Sequence, residues 1–497
     1  MENPKNGYDA AVIGTGLGGC ACGALLAKAG LKTLILEKNE KIGGSCSYYE
    51  KEGFKVDIGT HMFTRGSYGP IGEVQRRLGI PRRIQFAQVS DLALLTGAGY
   101  SLILPKEAYR YPAFYYQLYR QLDVPLKDFI AVSKLFYDLV MMPDSEIEKW
   151  DERPVDEFVA KYVGKNLRLL GYLGGILGLF FVIPFWEASA GEAIWSYKRM
   201  FGERTLSYPR GGASRIPSVF LEAAQGLGAD LLTGSRVTRI RVENGQVQGV
   251  EIEGGTFFPA RAVVSTTSLR DSVFHLVGEQ HFPELYREKV RKLKKSIIAF
   301  QVKIGLDKKL FKAGALFGAR IRDKNFDPKK VTLEEVKKGY QEIMEGKIPQ
   351  VTMVYCPVPS NFDPALAPPG KQLITACTAG PTTDVDLQDP PEKWLDELVD
   401  TLDELIPGLK KHMIWCDRFD TKFIANWIGK EFGPAISTAQ TVDQVGKNRP
   451  LIRTPIRGLY FAGDGAGGRG VGTELATQSG IECSEMVASD LRFGLLG

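Results

Sequence analysis

Glycine residues at fixed spacing near the start of the chain form the pattern best suited to chemistry. Gly14, Gly16 and Gly19 lie in the run Gly14-Thr15-Gly16-Leu17-Gly18-Gly19. A glycine turn that joins a strand to a helix presents backbone N–H groups, and the positive end of the helix dipole, to a phosphate. A carboxylate, Glu37, follows a second apolar run and can accept hydrogen bonds from ribose hydroxyls. The spacing therefore predicts a site for the ADP part of a dinucleotide.

Two strands and a helix must place these residues. The sequence predicts a strand over residues 8–13, a helix over residues 20–29 and a second strand over residues 33–36. Glu37 and Lys38 then stand at the carboxyl end of the second strand. A strand, glycine turn, helix, strand and acid within about 30 residues make a βαβ unit of the Rossmann type. The fold class that follows is α/β.

Composition excludes several other classes of protein. The chain has 497 residues, 44% of them hydrophobic and 24% charged, which is typical of a globular protein large enough for two domains. A net charge of +5 without a dense basic run argues against a nucleic-acid partner. The seven cysteines form no CxxC pair and no metal-binding spacing, which indicates reduced thiols in a cytoplasmic protein and no metal site. The first predicted strand begins at residue 8, so no signal peptide is expected before it.

Three separated blocks carry further motifs. The first contains the pair Gly43-Gly44 and then the phrase Gly53-Phe54-Lys55-Val56-Asp57-Ile58-Gly59. The second opens with Tyr208-Pro209-Arg210-Gly211-Gly212, and the third, residues 458–465, delivers Asp464 to a glycine-rich loop. Together with the βαβ unit, these blocks resemble the FAD-dependent amine oxidase superfamily. Within it they are similar to the branch of phytoene desaturases, carotenoid isomerases and retinol saturases.

The resemblance implies that the ligand is FAD and that the three blocks enclose it. In the family, the residue matching Val237 contacts the adenine through its backbone, and the acid matching Asp464 contacts the ribityl and pyrophosphate portion. Residues 463–468 also fit a dinucleotide motif formally, but no second strand with a terminal acid follows, so we exclude a nicotinamide site there. The predicted FAD contacts are Gly14, Gly16, Leu17, Gly18, Gly19, Glu37, Lys38, Gly43, Gly44, Ser45, Gly59, Thr60, His61, Val237, Thr266, Gly463, Asp464, Gly472 and Thr473.

Long stretches between the FAD motifs predict a second domain. Residues 1–75, 205–270 and 450–497 are expected to form a Rossmann-type FAD-binding domain assembled from three segments. Residues 76–204 and 271–449 are expected to form an α+β substrate-binding domain with a mixed sheet and helices.

Residues 169–186 contain no charged side chain. Three interpretations stay open: a buried core helix, a wall of an apolar substrate pocket that dips into a membrane leaflet, and a transmembrane helix, which needs about 20 apolar residues. Residues 109–119 add a dense group of tyrosines, and tyrosine favours membrane interfaces. The hypothesis is peripheral contact with the inner face of the membrane.

In the predicted reaction, an apolar isoprenoid or polyene substrate exchanges a hydride between a C–H bond and flavin N5, as in phytoene desaturases. A quinone and dioxygen both stay open as electron acceptors. His61 and Glu474 are the candidate catalytic residues, although the ordinary interpretations, a hydrogen-bonded structural histidine and an acid that stabilises a helix start, are favoured for each. Gly59-Thr60-His61 is more similar to retinol saturases than to phytoene desaturases, so the direction of hydrogen transfer stays open.

Other functions fit parts of the same pattern. Among enzymes they are a saturase, a carotenoid isomerase that uses reduced FAD, an amine oxidase and a protoporphyrinogen oxidase. Amine oxidases generally surround the substrate with aromatic side chains near the carboxyl-terminal motif, where residues 466–470 of this chain are mostly glycine. A prenyl-binding protein without flavin chemistry, similar to Rab GDP-dissociation inhibitors, is the alternative from another class. Gly16, Glu37 and Asp464 all suit FAD and argue against it.

Overall fold

Two large β-sheets form the frame of the molecule. The computed structural model describes residues 7–59, 62–97, 100–106, 116–117, 119–121, 125–164, 166–203, 206–323 and 332–496. The strands are β1 (Tyr8–Ile13), β2 (Thr33–Leu36), β3 (Tyr48–Lys51), β4 (Phe54–Asp57), β5 (Phe86–Ala87), β6 (Asp91–Gly97), β7 (Tyr100–Pro105), β8 (Tyr208–Pro209), β9 (Asp230–Leu232), β10 (Val237–Glu243), β11 (Gln246–Ile252), β12 (Phe257–Ser265), β13 (Ile298–Leu306), β14 (Ala315–Ile321), β15 (Val351–Pro357), β16 (Gln372–Gly380), β17 (Met413–Phe419) and β18 (Leu459–Phe461).

Helices cover the sheets and form a separate layer. They are α1 (Leu17–Lys28), α2 (Pro70–Leu78), α3 (Leu126–Met141), α4 (Asp144–Ile147), α5 (Val155–Val163), α6 (Leu167–Gly178), α7 (Ala190–Glu203), α8 (Arg215–Gly226), α9 (Glu284–Arg291), α10 (Leu333–Met344), α11 (Pro359–Phe362), α12 (Pro391–Leu405), α13 (Thr421–Ile428) and α14 (Gly472–Arg492). The first helix begins at Leu17, earlier than the predicted residue 20, because the glycines at 18 and 19 are themselves helical.

The first sheet is parallel at its centre. Its order there is β9-β2-β1-β12-β18, and the first half of β12 also continues into an antiparallel ribbon with β11 and β10. Ile13, Leu36, Leu232, Ser265 and Phe461 are in register across the parallel centre. The carboxyl ends of these strands therefore meet at one edge, which is where open α/β sheets bind ligands. The predicted α/β class is confirmed.

One apolar core joins distant parts of the chain beneath this sheet. Buried Leu26 from α1, Phe220 from α8 and Val487 from α14 belong to the same cluster. The small side chains of α1 let it pack closely against α8 and α14. This packing fixes the amino-terminal end of α1 at the ligand edge of the sheet.

The second sheet is mixed, in the order β17-β13-β16-β15-β14-β6-β7, with β14 and β6 parallel. Alternate residues of β13 point to opposite faces. Phe300, Val302 and Ile304 pack against α12, where Phe300 stacks on Trp394 with ring centroids 4.9 Å apart. The other face of this sheet is turned toward the ribbon of β3 and β4, as the hydrogen bond from Tyr49 Oη to Asp417 Oδ2 (2.6 Å) shows.

The uncharged run at residues 169–186 does not form one continuous helix. Helix α6 ends at Gly178, and the chain then folds back so that the Phe185 ring packs over Gly174, while the Cβ and backbone of Phe185 approach Gly178. Buried Leu173 and Phe181 belong to the core shared by α3, α5, α6 and α7. Within the described part of the chain, no helix has the length and apolarity that crossing a membrane requires. Most of the tyrosine-rich stretch at residues 109–119 lies outside the described residues.

Candidate cofactor site and active site

The glycine turn after β1 is held by close backbone contacts. Gly14 has φ +99°, a left-handed value that favours glycine, and an added Cβ would lie 2.6 Å from Thr266 Oγ1. A Cβ on Gly19 would lie 2.0 Å from the carbonyl oxygen of Gly14. A Cβ on Gly18 would lie 2.8 Å from the Cα of Gly463, in the third sequence block. These glycines allow strand, helix and distant loop to approach one another.

Gly16 differs from its neighbours because it faces open space. No heavy atom lies within 4 Å of the position that its Cβ would take. Gly44, with φ +56°, stands across this space, and its own added Cβ would be 3.4 Å from the Cα of Gly16. A groove between two glycines at the start of α1, where a side chain would intrude, fits the pyrophosphate of FAD. Leu17, the first residue of α1, is buried beneath it.

Glu37 organises the loop beside this groove. Its buried carboxylate accepts hydrogen bonds from the backbone N–H groups of Thr15 and Asn39, each at 3.0 Å, and from the Thr15 hydroxyl. The Thr15 Oγ1 in turn accepts from the N–H of Gly43 at 2.9 Å. Glu37 therefore ties the glycine turn to the Gly43-Gly44 segment. Its predicted contact with the ribose stays a prediction, and carboxylate oxygens retain acceptor capacity for it.

A second segment covers the groove from the side of the second sheet. The indole N–H of Trp427 donates to the carbonyl oxygen of Gly44 at 3.2 Å, and Lys38 Nζ donates to the carbonyl oxygen of Asn426 at 2.6 Å. Burial lowers the pKa of Lys38, to which the neighbouring Arg236 also contributes. Asn426 and Trp427 lie in α13. This helix carries no glycine motif, so the sequence did not identify these contacts.

The segment from Gly43 to Gly59 forms a closed loop. Gly43 has φ +107° and begins a tight turn, and the N–H of Gly59 donates to the carbonyl oxygen of Ser45 at 3.0 Å. Gly44, Ser45 and Gly59 thus lie close together, and their contact with FAD stays a prediction. Thr60 and His61 lie outside the described residues, so their predicted contacts stay predictions.

Thr266 lies beside the glycine turn, whereas Val237 lies at the start of β10. Thr266 Oγ1 donates to the carbonyl oxygen of Ile13 at 2.7 Å, directly beside the glycine turn. Val237 is buried at the start of β10. The loop that leads to it is held by the N–H of Ser235, which donates to the Glu37 carbonyl oxygen at 2.8 Å. Its backbone contact with adenine stays a prediction.

The carboxylate of Asp464 accepts hydrogen bonds from two other residues of the protein, Lys430 and Ser437. Its carboxylate accepts from Lys430 Nζ at 2.5 Å, from the N–H of Ser437 at 3.1 Å and from the Ser437 hydroxyl at 3.0 Å. Burial acts to raise the pKa of Asp464, but the Lys430 ammonium and the Ser437 hydrogen bonds outweigh it and lower the pKa. Gly463, with φ +96°, sets the preceding turn, and its N–H donates to Ser479 Oγ at 3.1 Å. Sequence reasoning missed Lys430 and Ser437 because neither belongs to a motif.

The start of α14 adjoins a small pocket. Gly472 and Thr473 are the first residues of the helix, and the buried carboxylate of Glu474 accepts from the backbone N–H of Arg65 at 2.6 Å. The helix dipole favours a negative charge at this end. The pocket walls are mostly apolar or aromatic and are formed by Thr64, Arg65, Phe180, Trp195, Ser196, Tyr197, Met200, Val471 and Glu474.

A parallel sheet with these glycine turns, a buried acid after its second strand and a helix start at a pocket defines a dinucleotide-binding flavoprotein. The chain belongs to the family of flavin containing amine oxidoreductases, whose model matches residues 17–488. It is an FAD-dependent oxidoreductase.

Comparison with individual proteins agrees with this family. The chain is 23% identical over 518 residues to prolycopene isomerase 2, chloroplastic, of an Oncidium hybrid cultivar, covering 98% of this chain and 84% of that protein. It is 24% identical to the zeta-carotene-forming phytoene desaturase of Myxococcus xanthus, covering 93% of this chain and 90% of that protein. The crystal structure of an oxidoreductase from Methanosarcina mazei has the same fold, with a TM-score of 0.68, 18% identity, and coverage of 96% of this chain and 99% of that one. The predicted resemblance to the carotenoid desaturase and isomerase branch is confirmed.

Proposed function

We propose that the protein acts on an apolar isoprenoid or polyene substrate, by desaturation, saturation or isomerisation at carbon–carbon bonds. The observation that carries this proposal is the small pocket at the start of α14, whose lining includes Phe180, Trp195 and Met200 beside polar residues. The names of the relatives, prolycopene isomerase and phytoene desaturase, support the same substrate class. FAD, when bound, supplies the group that exchanges a hydride with a C–H bond of the substrate.

The residues of the chain would position this chemistry. The hydrogen bond from the Arg65 backbone to Glu474 joins the loop after Gly59 to the start of α14, so that both border one pocket. The backbone N–H groups at the start of α14, with the helix dipole, would favour negative charge on a ring bound there. The apolar part of the lining, with Phe180, Trp195 and Met200, would keep water from a hydrocarbon substrate. Glu474 and His61 remain the catalytic candidates of the proposal.

The residues proposed to bind FAD are the same ones that the sequence predicted. The glycine turn and Gly44 would hold the pyrophosphate, Glu37 the ribose, and the helix start of α14 the flavin ring. The proposed FAD-binding domain consists of residues 1–75, 205–270 and 450–497, which supply all the strands of the first sheet. The proposed substrate-binding domain consists of residues 76–204 and 271–449.

A carotenoid isomerase that uses reduced FAD is the alternative that the first comparison favours, because the Oncidium protein is named a prolycopene isomerase. Anaerobic incubation with a polyene separates the two activities. We expect a desaturase to bleach the oxidised flavin as substrate is consumed. An isomerase would convert polyene isomers, detected by chromatography, only after the flavin is reduced, and without net flavin turnover. Absence of bleaching with oxidised flavin, together with absence of isomer conversion and of flavin reoxidation with reduced flavin, for all polyenes would contradict the proposal. The electron acceptor stays open between a quinone and dioxygen.

We also propose peripheral membrane contact through α3. Leu126, Ile130, Tyr137 and Met141 lie on one face of this helix, and each is more than half exposed. The opposite face, with Val132, packs into the core of the helical layer. Transfer of a hydrocarbon substrate into water costs about 0.8 kcal/mol per methylene. Direct transfer from a membrane leaflet to the protein is therefore favoured. Apolar residues exposed along a helix suit insertion into the interface of a bilayer.

A further inference from the structure

Arg469 joins the glycine-rich loop before α14 to the helical layer through two carboxylates. Its Nη2 donates to Asp151 Oδ1 at 2.6 Å, and its Nε lies 3.3 Å from Glu192 Oε1. Both acids are buried. Asp151 precedes α5, and Glu192 lies in the first turn of α7. One guanidinium of the loop is therefore held between two elements that are distant from it in the chain.

The carboxylate of Glu192 also contacts the backbone of the loop. Its Oε2 accepts from the N–H of Gly470 and from Gln440 Nε2, each at 3.3 Å. Gln440 Nε2 also donates to the carbonyl oxygen of Gly470 at 2.7 Å. Gly470 has φ +114°, a left-handed value that favours glycine. Both backbone polar groups of this glycine are thus held by buried side chains from outside the loop.

A second guanidinium fixes the earlier part of the same loop. Arg449 is buried, and it donates from Nε to the carbonyl oxygen of Gly467 and from Nη2 to that of Asp464 at 3.1 Å. The loop between the Asp464 motif and α14 is therefore fixed at several points along its length.

The charges around Arg469 are suited to fixing a geometry. Burial raises the pKa of both Glu192 and Asp151, and the charge of Arg469 opposes this rise for each carboxyl. A buried ion pair contributes little net stability, but breaking it leaves an unpaired charge. The pair therefore resists displacement of the loop more than it stabilises the fold as a whole.

The fixed loop leads directly to the pocket at the start of α14. An added Cβ on Gly470 would lie 3.0 Å from Cζ3 of Trp195. Trp195 follows Glu192 by three residues in α7, so the two side chains lie on one face of that helix. Val471 is the residue directly before α14, and Trp195, Val471 and Glu474 all line the pocket. The first turns of α7 thus hold the loop and form part of the pocket wall.

We propose that Arg469 is a positioning residue: its contacts with Glu192 and Asp151 fix residues 469–471, and thereby hold the start of α14 where its N–H groups favour reduction of the flavin. This inference rests on the proposed function, in which the start of α14 holds the flavin ring. The positive end of a helix stabilises negative charge only close to its first turn. Displacement of this helix start should therefore disfavour the more negative, reduced flavin and lower its midpoint potential.

The test is the midpoint potential of the FAD-loaded protein, measured by absorbance against a reference dye. Arg469→Met and Glu192→Gln should each lower the equilibrium ratio of reduced to oxidised flavin by about tenfold, which lowers the potential of a two-electron couple by about 30 mV. The two variants change the net charge in opposite directions. A direct effect of charge on the ring would lower the potential in Arg469→Met and raise it in Glu192→Gln, whereas loss of position lowers it in both. A raised or unchanged potential in either variant would overturn the inference.

Arg453→Met is the matched control. It removes an arginine that pairs with the buried Asp490, near the opposite end of α14, and it should leave the midpoint potential unchanged. An equal shift in this control would overturn the inference, because any weakening of α14 would then suffice. Asp151→Asn serves if a first variant fails to fold or loses its flavin. It should lower the potential by a smaller amount, because Arg469 keeps Glu192, and an unchanged or raised potential would overturn the inference.

Denaturant unfolding of the same FAD-loaded proteins, at saturating FAD, tests the contact itself. Arg469→Met and Glu192→Gln should each raise the unfolding constant. The double variant should raise it about tenfold less than the product of the single effects, because both changes remove one contact. Simply multiplied effects would overturn the inference. Conversion of a polyene by the wild type tests the proposed function separately, so conversion together with unchanged potentials in the variants would contradict only the role of Arg469.

Discussion

The ligand edge of the first sheet and the helical layer of α3, α5, α6 and α7 are built on opposite principles. At the sheet edge, backbone approaches backbone so closely that a methyl group on Gly19 would lie 2.0 Å from a carbonyl oxygen. In the helical layer, apolar side chains fill a core, and Leu126 and Tyr137 of α3 stand exposed beyond it. The sheet edge requires particular residues at particular positions, whereas the helical layer requires only that certain helix faces be apolar.

The same substitution in both regions tests this difference with the largest expected effect. Gly19→Ala should destabilise the protein by about 3 kcal/mol, because its Cβ meets backbone that cannot move aside. Gly202→Ala in α7, where no atom lies within 4 Å of the added Cβ, should be neutral or stabilise by up to about 1 kcal/mol, because alanine favours helix. Denaturant unfolding measures both. Similar losses for the two variants would remove the distinction between the regions.

Gly16→Val sharpens the comparison within the sheet edge itself. Because the space around Gly16 is open, the variant should unfold at nearly the wild-type denaturant concentration, yet its side chain would occupy the pyrophosphate groove. We expect a folded, colourless protein, with flavin content measured from the absorbance after purification. Gly226→Val, on an open surface of α8, is the control that should keep its flavin. Undiminished flavin in Gly16→Val would contradict the assignment.

Asp464→Asn tests the contact between the motif at residues 458–465 and Lys430, which follows helix α13 in the segment that covers the groove. The change leaves the Lys430 ammonium without its ion-pair partner, and removing one member of a buried pair costs about 3–5 kcal/mol. Partial exposure of both side chains, 13% and 14%, should reduce that cost. We expect weaker FAD retention on dialysis, and Lys430→Met should produce a similar loss. Full retention in both variants would mean that the covering segment does not hold the cofactor.

The same aspartate predicts a pH dependence. Its lowered pKa means that the folded protein binds this proton less readily than the unfolded chain, whose pKa is about 3.9. The stabilisation is therefore complete above that value and is lost as the pH falls through the folded pKa. Wild type should lose more stability than Asp464→Asn between pH 5 and 3 in denaturant unfolding. Parallel losses would show that Asp464 contributes nothing to acid sensitivity.

The smallest effect on stability is expected on the exposed face of α3. Ile130→Asp changes an exposed side chain and should alter the free energy of unfolding by no more than about 0.5 kcal/mol. It should nevertheless reduce co-flotation with liposomes, because the aspartate opposes insertion of this face. Leu285→Asp in α9, also at an exposed leucine, is the matched control that should leave flotation unchanged. Equal flotation of all three proteins would refute a membrane role for α3.

The sequence predicted the sheet edge well because its determinants are local. Gly14, Gly16 and Glu37 lie within one βαβ unit, where spacing alone fixes geometry. The covering contacts of Trp427 and Lys430 could not be predicted, because they come from a segment without a motif that long-range packing brings to the groove. The end of α6 depends on the packing of Phe185 against Gly174 and Gly178, which is also a tertiary effect.

The structure of the protein purified with its flavin tests the central claim most directly. The account predicts the pyrophosphate of one FAD in the groove between Gly16 and Gly44, at the start of α1, with the flavin ring toward the start of α14. Density for the pyrophosphate at any other place, or a groove filled by side chains in the flavin-bound protein, would contradict it.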